Sequence, residues 1–269
     1  MFESGVYENR RKQLINKMSG GVVLILGNEE AAANYPQNTY KFRQDSTFSY
    51  FFGLNMPGFA GVMDADSGES LLFGNDVDMD DIIWMGPQPS VRELGLKIGI
   101  SKTFPFKNLF SFIGNAIASG RRIHILPPYR YRNMALLEEL LGINHLMIGN
   151  YASLELIKHI VAMRSVKEAC EVEELKKAAR IGYEMHVTAM KLAKPGVKEQ
   201  YIAGILEGIA ASYGSMVSFP VILSQNGETL HNHDHSGILT EGRLMLTDAG
   251  AETQMNYCSD FTRTVPVGG

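Results

Sequence analysis

An apolar stripe at helical spacing, running from Val172 to Leu192, divides this 269-residue chain into two dissimilar parts. Its members recur every three or four positions: Val172, Leu175, Ala179, Gly182, Met185, Ala189 and Leu192. That spacing predicts one long amphipathic helix. Ser165 and Glu168 fit a capping box at its start, and the Lys194-Pro195-Gly196 run stops it. The helix is therefore expected to open a second domain.

The part before this helix alternates strand-like and helix-like stretches. The predicted strands are residues 21–27, 60–65, 69–74 and 122–127, and the clearest predicted helices are residues 7–18 and 109–117. This alternation is typical of a mixed sheet with helices on its faces, so the fold class is α/β. A boundary near Gly149 and Asn150 gives two predicted domains, residues 1–150 and 151–269, with a connecting helix over residues 151–163.

The part after the long helix has a different pattern. Ile202, Ile205, Ile209 and Tyr213 predict a second, shorter helix. Strand-like runs follow at residues 216–223 and 242–252, and the last residues, 256–269, are predicted to form a third strand. The second domain is thus expected to open with two helices and to continue with antiparallel strands, an α+β arrangement.

Composition excludes several classes of protein. The net charge of -4 and the pI near 6.0 provide no basic surface for nucleic acid. No apolar run approaches the roughly 18 residues of a membrane-spanning helix, and the first residues lack the apolar core of an export signal. We therefore expect a soluble, cytoplasmic protein. The two cysteines, Cys170 and Cys258, indicate no disulfide framework.

Two aspartates carry the clearest chemical signal. Asp248 and Asp260 lie 12 positions apart, on what should be the two arms of a β-hairpin. Antiparallel arms can bring both carboxylates to one face, where they repel each other unless a cation lies between them. Carboxylate oxygens suit Mn²⁺ or Mg²⁺, and a bridging pair can hold two ions that share a hydroxide nucleophile.

The plain alternative is that each aspartate caps or solvates a turn. Against it, Asp248 follows the apolar run 244–246 and Asp260 precedes the strand-like run 261–265, so both should project from ordered strands. A buried, ionised aspartate without a partner is costly, which favours a metal ion or a base nearby. Arg263 is a possible base, although strand alternation places it on the face opposite Asp260.

The last 40 residues resemble the first metal-ligand block of the aminopeptidase P and prolidase group, the pita-bread metallopeptidases. That block has a His in an L-H-Y-like turn, D-[AS]-G-x-E on one strand and D-[IFV]-T-R-T on the next. Here the corresponding pieces are LHN at 230–232, DAGAE at 248–252 and DFTRT at 260–264. Residues 40–54, 82–86 and 163–181 resemble the family's N-terminal domain and the start of its catalytic domain.

The resemblance implies roles for individual residues. Asp248 would bind one of two divalent ions, expected to be Mn²⁺, and Asp260 would bridge both. His231 matches the family's substrate-side His, which steadies the tetrahedral intermediate or relays a proton; a surface-loop imidazole is the plain alternative. His233 and His235 match no family position, and a solvated loop accounts for them.

Two departures from the family pattern stand out. The two aspartates are one position further apart here, and the additional residue falls within Thr253–Asn256, at the predicted turn, where an insertion should not disturb the arms. The family completes its site with one His and two Glu from later strands, which do not occur before Gly269. We therefore expect the first half only of a pita-bread domain, a truncated chain that is inactive as it stands.

The function implied by the resemblance is a metal-dependent exopeptidase that removes an N-terminal residue preceding proline, either an Xaa-Pro aminopeptidase or a dipeptidase. Its partners would be proline-containing peptides and further copies of itself in a homodimer or homotetramer. Two alternatives stay open. One is a metal-free hydrolase of the creatinase kind, against which the paired aspartates count. The other is a non-catalytic pita-bread binding module.

Overall fold

The computed structural model describes residues 1–268, so Gly269, the last residue of the predicted second domain and third strand, lies outside the described residues. The chain forms two compact units that divide between Val166 and Lys167. This division comes later than the boundary near Gly149 and Asn150 expected from the sequence. The helix after that boundary belongs to the first unit because Leu156 and Ile160 are buried in the first unit's core.

Unit 1 is an α/β domain. Its helices are α1 (Ser4–Ile15), α2 (Ser46–Phe52), α3 (Met79–Met85), α4 (Val91–Lys97), α5 (Asn108–Ala118), α6 (Tyr131–Leu141) and α7 (Leu154–Ser165), with a 3₁₀ turn at Ile148–Tyr151. Its strands are β1 (Val22–Leu26), β2 (Ala32–Tyr35), β3 (Asn38–Thr39), β4 (Ala60–Asp64), β5 (Glu69–Phe73), β6 (Lys102–Phe104) and β7 (Ile123–His124). Strands β2 and β3 form a separate exposed hairpin.

The main sheet of unit 1 is mixed, in the order β6-β5-β4-β1-β7, which confirms the predicted sheet type. β4 runs antiparallel to both β1 and β5, whereas β1–β7 and β5–β6 are parallel pairs. Strand alternation separates two apolar layers: Val23 and Ile25 pack with α1, α2, α4 and α7, while Val22 and Leu24 pack with α5 and α6. The sheet therefore lies between two layers of helices.

Two buried arginines hold one of these helical layers together. The Arg11 guanidinium donates to the carbonyl of Phe51 in the last turn of α2 (2.8 Å) and to the carbonyl of Ile98, which directly follows α4 (2.7 Å). Arg10 donates to the Tyr50 carbonyl at 2.9 Å and stacks over the Tyr50 ring. Burial lowers the pKa of Arg11 to about 10, so it remains charged at neutral pH. Cations at helix carboxyl ends are stabilising because they meet the negative end of the helix dipole.

Unit 2 begins with two helices and continues with an antiparallel sheet, as predicted. The helices are α8 (Ala169–Leu192) and α9 (Glu199–Ser212), and the strands are β8 (Ile222–Ser224), β9 (Leu244–Ala249) and β10 (Phe261–Pro266), in the order β10-β9-β8. β8 is shorter than the predicted run 216–223, in part because Pro220 has no N–H to donate. Both helices cover the sheet face that carries Met245 and Ala249.

Helix α8 differs from its prediction at its first turns. Ser165 ends α7 and donates its hydroxyl to Val161, so it caps nothing; instead the Glu171 carboxylate accepts from the Glu168 backbone N–H at 2.9 Å. The buried face of these turns carries Glu171 and Glu174, whereas Val172 is exposed. The predicted stripe is correct from Gly182 onward, where the helix meets the sheet. Within residues 1–268, no helix combines the length and the apolar character needed to cross a bilayer.

The β9–β10 hairpin keeps one register along its whole length. Asp248 pairs with Thr262, and the isolated bridge Glu252–Cys258 continues the same pairing toward the turn. The tip is closed by the Asn256 N–H donating to Thr253 O at 2.9 Å, with Asn256 in the left-handed region at φ 61°. Asn tolerates this conformation better than most residues. A three-residue tip therefore accommodates the turn without disturbing either arm.

Gly250 permits the closest approach of these two arms. A Cβ at this position would lie 1.8 Å from the Ser259 carbonyl oxygen, far inside contact distance. The nearest atoms, in Ser259 and Asp260, all belong to the backbone, so they cannot turn away as a flexible side chain would. The glycine between Asp248 and Glu252 is thus required by packing of the hairpin.

The Arg11→Leu substitution should lower the free energy of unfolding by about 2–4 kcal/mol, because it leaves buried carbonyls without their charged donor. Chemical denaturation monitored by circular dichroism measures this change. Lys12→Leu, on the exposed face of the same helix, serves as the control and should shift stability by about 0.5 kcal/mol or less. Equal effects of the two substitutions would contradict the role given to Arg11.

Gly250→Ala should destabilise unit 2 by about 3 kcal/mol, because the arms must separate to admit the methyl group. Gly204→Ala is the matched control: Gly204 lies in α9 with nothing within 4 Å of an added Cβ, so alanine should raise stability by up to about 1 kcal/mol. Thermal unfolding of both variants measures the contrast. A Gly250→Ala protein as stable as the unsubstituted chain would show that the arms are not in this close contact.

Candidate metal centre

Asp248 and Asp260 lie on the same face of the β9–β10 hairpin. Asp248 pairs with Thr262 on the neighbouring strand, and Asp260 precedes Thr262 by two positions. Since side chains two positions apart share a face, the aspartates are diagonal neighbours rather than directly opposite each other. Diagonal neighbours are separated by roughly 7–8 Å in an antiparallel pair. Side chains at that spacing can converge on a cation between them.

The two carboxylates differ in their surroundings. Asp248 comes from the central strand and is half-buried, and its Oδ1 is buried without a hydrogen-bond partner among the described residues. Asp260 immediately precedes β10 and is exposed. A buried carboxylate oxygen without a donor costs free energy, so an electropositive group at this position would be stabilising. In the part of the chain that the structure describes, no lysine or arginine donates to Asp248 Oδ1.

The donor set fits a hard divalent cation. Carboxylate oxygens suit Mn²⁺, Mg²⁺ and similar ions, and Asp248, whose Oδ1 has no hydrogen-bond partner among the described residues, shares a face of the hairpin with Asp260. Within residues 1–268, however, no three His, Cys, Asp or Glu side chains come together as a metal-binding group. The described residues therefore offer a pair of carboxylates on one face and no cluster of three ligands.

His231 is exposed, in the loop that follows β8. This loop folds against the face that carries Asp248. A Cβ on Gly227 would contact the Leu246 side chain at 3.2 Å, and Asn232 Nδ2 donates to Ser224 Oγ at 3.3 Å. Ser224 pairs with Leu246, and Leu246 shares its face with Asp248. The tertiary fold thus brings the His231 loop to the side of the sheet that holds the aspartates.

Three other candidate residues lie near the aspartates in the sequence: His233, His235 and Arg263. His233 is exposed, whereas His235 Nδ1 lies 3.0 Å from the Leu223 carbonyl and helps to anchor the loop to β8. Arg263 pairs with Thr247 and so lies on the face opposite Asp248, as strand alternation predicts. Its Nη1 donates to the Thr262 carbonyl.

One residue near the aspartates was not foreseen from the sequence. His186 of α8 is 5% exposed, and its Nε2 lies 3.1 Å from the carbonyl of Ala249, the residue after Asp248. Its position four residues after Gly182, on the stripe that faces the sheet, is the only signal the sequence offers. A lone His on an apolar helix face gives no indication of which backbone group it will meet.

Two family models match the chain. Residues 7–125 match the aminopeptidase P, N-terminal domain, and residues 173–269 match metallopeptidase family M24. The first match lies within unit 1. The second covers most of α8, all of α9 and the three strands of unit 2, and it includes both aspartates. Both domain types expected from the sequence motifs are therefore present, in the expected order.

Individual relatives agree with these matches. The chain is 26% identical to the Xaa-Pro aminopeptidase of Escherichia coli, over 98% of this chain and 62% of that protein. It is 28% identical to the human Xaa-Pro dipeptidase, over 93% of this chain and 52% of that protein. The structure of proline aminopeptidase P II from Yersinia pestis superposes with a TM-score of 0.80 and 26% identity, covering 98% of this chain and 63% of that chain.

The chain thus spans about half to three-fifths of the length of these relatives. What it shares with them extends through both units: an α/β domain with a mixed sheet, followed by helices and an antiparallel sheet of the pita-bread type. Together, the two family models and these likenesses place the chain in the aminopeptidase P and prolidase group of the M24 metallopeptidases.

Proposed function

We propose that this chain provides the first two carboxylate ligands, Asp248 and Asp260, of a metal-dependent exopeptidase that removes an N-terminal residue preceding proline. The observation that supports this most directly is the buried Asp248 Oδ1 without a hydrogen-bond partner, on the face shared with Asp260. A purely structural aspartate at a half-buried strand position would be expected to accept a hydrogen bond there. The proposed specificity for proline is inferred from the similarity to an Xaa-Pro aminopeptidase and an Xaa-Pro dipeptidase.

In this proposal, the residues of the chain bind the metal ion and the substrate. A divalent metal, expected to be Mn²⁺, supplies Lewis acidity toward the scissile carbonyl when bound. Asp248, on the central strand, which is paired on both sides, supplies one carboxylate, and Asp260, immediately before the edge strand, supplies the second from the same face. Their paired negative charge would also attract the free amino group of a peptide substrate.

His231 is proposed to donate a hydrogen bond to the substrate carbonyl as negative charge develops on its oxygen. The loop position fits this role, since the loop packs against the Asp248 face while His231 itself is exposed to an incoming peptide. Assembly of the chain as a homodimer or homotetramer is part of the same proposal. Light scattering of the purified chain measures that state directly.

Mn²⁺ should bind the 269-residue chain weakly, with a dissociation constant in the millimolar range, because two carboxylates leave most coordination positions to water. Water proton relaxation during an Mn²⁺ titration measures this affinity. Asp248→Asn and Asp260→Asn should each reduce binding at least fivefold. Asp234→Asn, an exposed aspartate in the His231 loop, is the control and should leave the affinity unchanged. Binding that ignores Asp248 and Asp260 would contradict the proposed centre.

The 269-residue chain should not release the first residue of an Xaa-Pro peptide in the presence of Mn²⁺, because catalysis in this class needs the cation held in a fixed geometry. Mass spectrometry of Xaa-Pro-Xaa peptides after incubation with the purified chain tests this. Metal-dependent cleavage that disappears in Asp260→Ala would show that two carboxylates suffice. An absence of both Asp-dependent metal binding and cleavage would favour a non-catalytic binding module.

A further inference from the structure

A buried imidazole on helix α8 contacts both arms of the hairpin from the helix-covered face of the sheet. His186 Nε2 lies 3.1 Å from the Ala249 carbonyl, and the His186 ring meets the Phe261 ring edge-on, with centroids 6.1 Å apart and planes at 80°. Ala249 follows Asp248 and Phe261 follows Asp260 along the chain. One side chain is therefore in contact with the residue next to each carboxylate.

The helix reaches the arms because of a glycine one turn earlier. A Cβ on Gly182 would lie 2.8 Å from Ser259 Oγ and 2.9 Å from the Phe261 ring, closer than ordinary contact. Residues four positions apart lie on one helix face, so Gly182 and His186 together form the surface that meets the hairpin. The close approach at Gly182 brings the imidazole of His186 within hydrogen-bonding distance of the strand backbone.

The hydrogen bond selects one tautomer of the neutral ring. A carbonyl oxygen can only accept, so Nε2 carries the hydrogen and, in the neutral ring, Nδ1 is the bare nitrogen. Nδ1 is buried and has no hydrogen-bond partner among the described residues. An unpartnered buried acceptor is unfavourable, and an aliphatic side chain would fill the same space without it. Packing alone therefore does not explain an imidazole at this position.

We infer that His186 is a positioning residue for the two carboxylates: it sets Asp248 and Asp260 relative to each other through the Ala249 carbonyl and the Phe261 ring, without touching either carboxylate. This inference rests on the proposed function for its consequence in metal binding. Side chains that support ligands from behind typically change metal affinity 10- to 100-fold when they are removed.

Two substitutions test this inference on the 269-residue chain. His186→Leu removes the donor to Ala249 and should raise the Mn²⁺ dissociation constant about tenfold. His186→Gln retains an N–H donor on a side chain of similar length, and its affinity should stay within threefold of the unsubstituted chain. Leu206→Val, at a fully buried position of α9, is the matched control for loss of core stability and should leave Mn²⁺ affinity unchanged.

Amide hydrogen exchange of the metal-free variants gives a readout that does not depend on metal binding. His186→Leu should accelerate exchange in residues 245–249 and 261–265 more than in residues 222–224 of β8, whereas Leu206→Val should affect all three strands alike. Selective acceleration supports the inference even if the unsubstituted chain shows no Asp248-dependent Mn²⁺ binding, an outcome that would reject the proposed function alone.

The inference is overturned if exchange in His186→Leu rises uniformly across the three strands. Where Mn²⁺ binding by the unsubstituted chain depends on Asp248, the inference is equally overturned if His186→Leu binds Mn²⁺ within twofold of that chain, or if Leu206→Val weakens binding as much as His186→Leu does. Failure of His186→Gln to restore affinity would also reject it, because the hydrogen bond to Ala249 would then not be the cause.

Discussion

The arrangement of the candidate site depends on one constraint, the uninterrupted antiparallel register between β9 and β10. A slip of one residue would send one of the two aspartates to the opposite face of the sheet. The pairing of Asp248 with Thr262 is continued by the bridge between Glu252 and Cys258, close to the turn. The backbone contact at Gly250 leaves no space for a side chain between the arms. Because the same pairing continues on both sides of Gly250, both carboxylates stay on one face.

The two faces of this small sheet have different tasks. One is covered by α8 and α9 through residues such as Met245 and Ala249, and that burial supplies most of the stability of unit 2. The other face carries Asp248 together with the loop that bears His231. Charged ligands can be tolerated on the second face because the first provides the apolar core. Strand alternation thus separates the chemistry from the stabilising interactions within six residues of β9.

Much of this could be predicted from local patterns. The apolar runs of β1, β4 and β5, the helix after Gly196 and the acidic hairpin are all visible as periodicity and motif, because each depends on neighbours close in sequence. The predictions that failed depend on distant partners. Ser165 fits a capping box by type, yet it lies at the end of α7, and the first turns of α8 bury Glu171, whose Oε1 accepts from the Tyr257 hydroxyl at 2.9 Å.

The sequence by itself determined the pair Asp248 and Asp260, their placement on the two arms of a hairpin and the family to which they belong, since strand alternation and motif spacing are local properties. Only the tertiary structure decided that the carboxylates are diagonal neighbours, that Asp248 Oδ1 is buried without a donor and that His186 lies beneath both arms. Burial and contacts between residues 63 positions apart depend on how a helix docks on a sheet, and no local pattern specifies that docking.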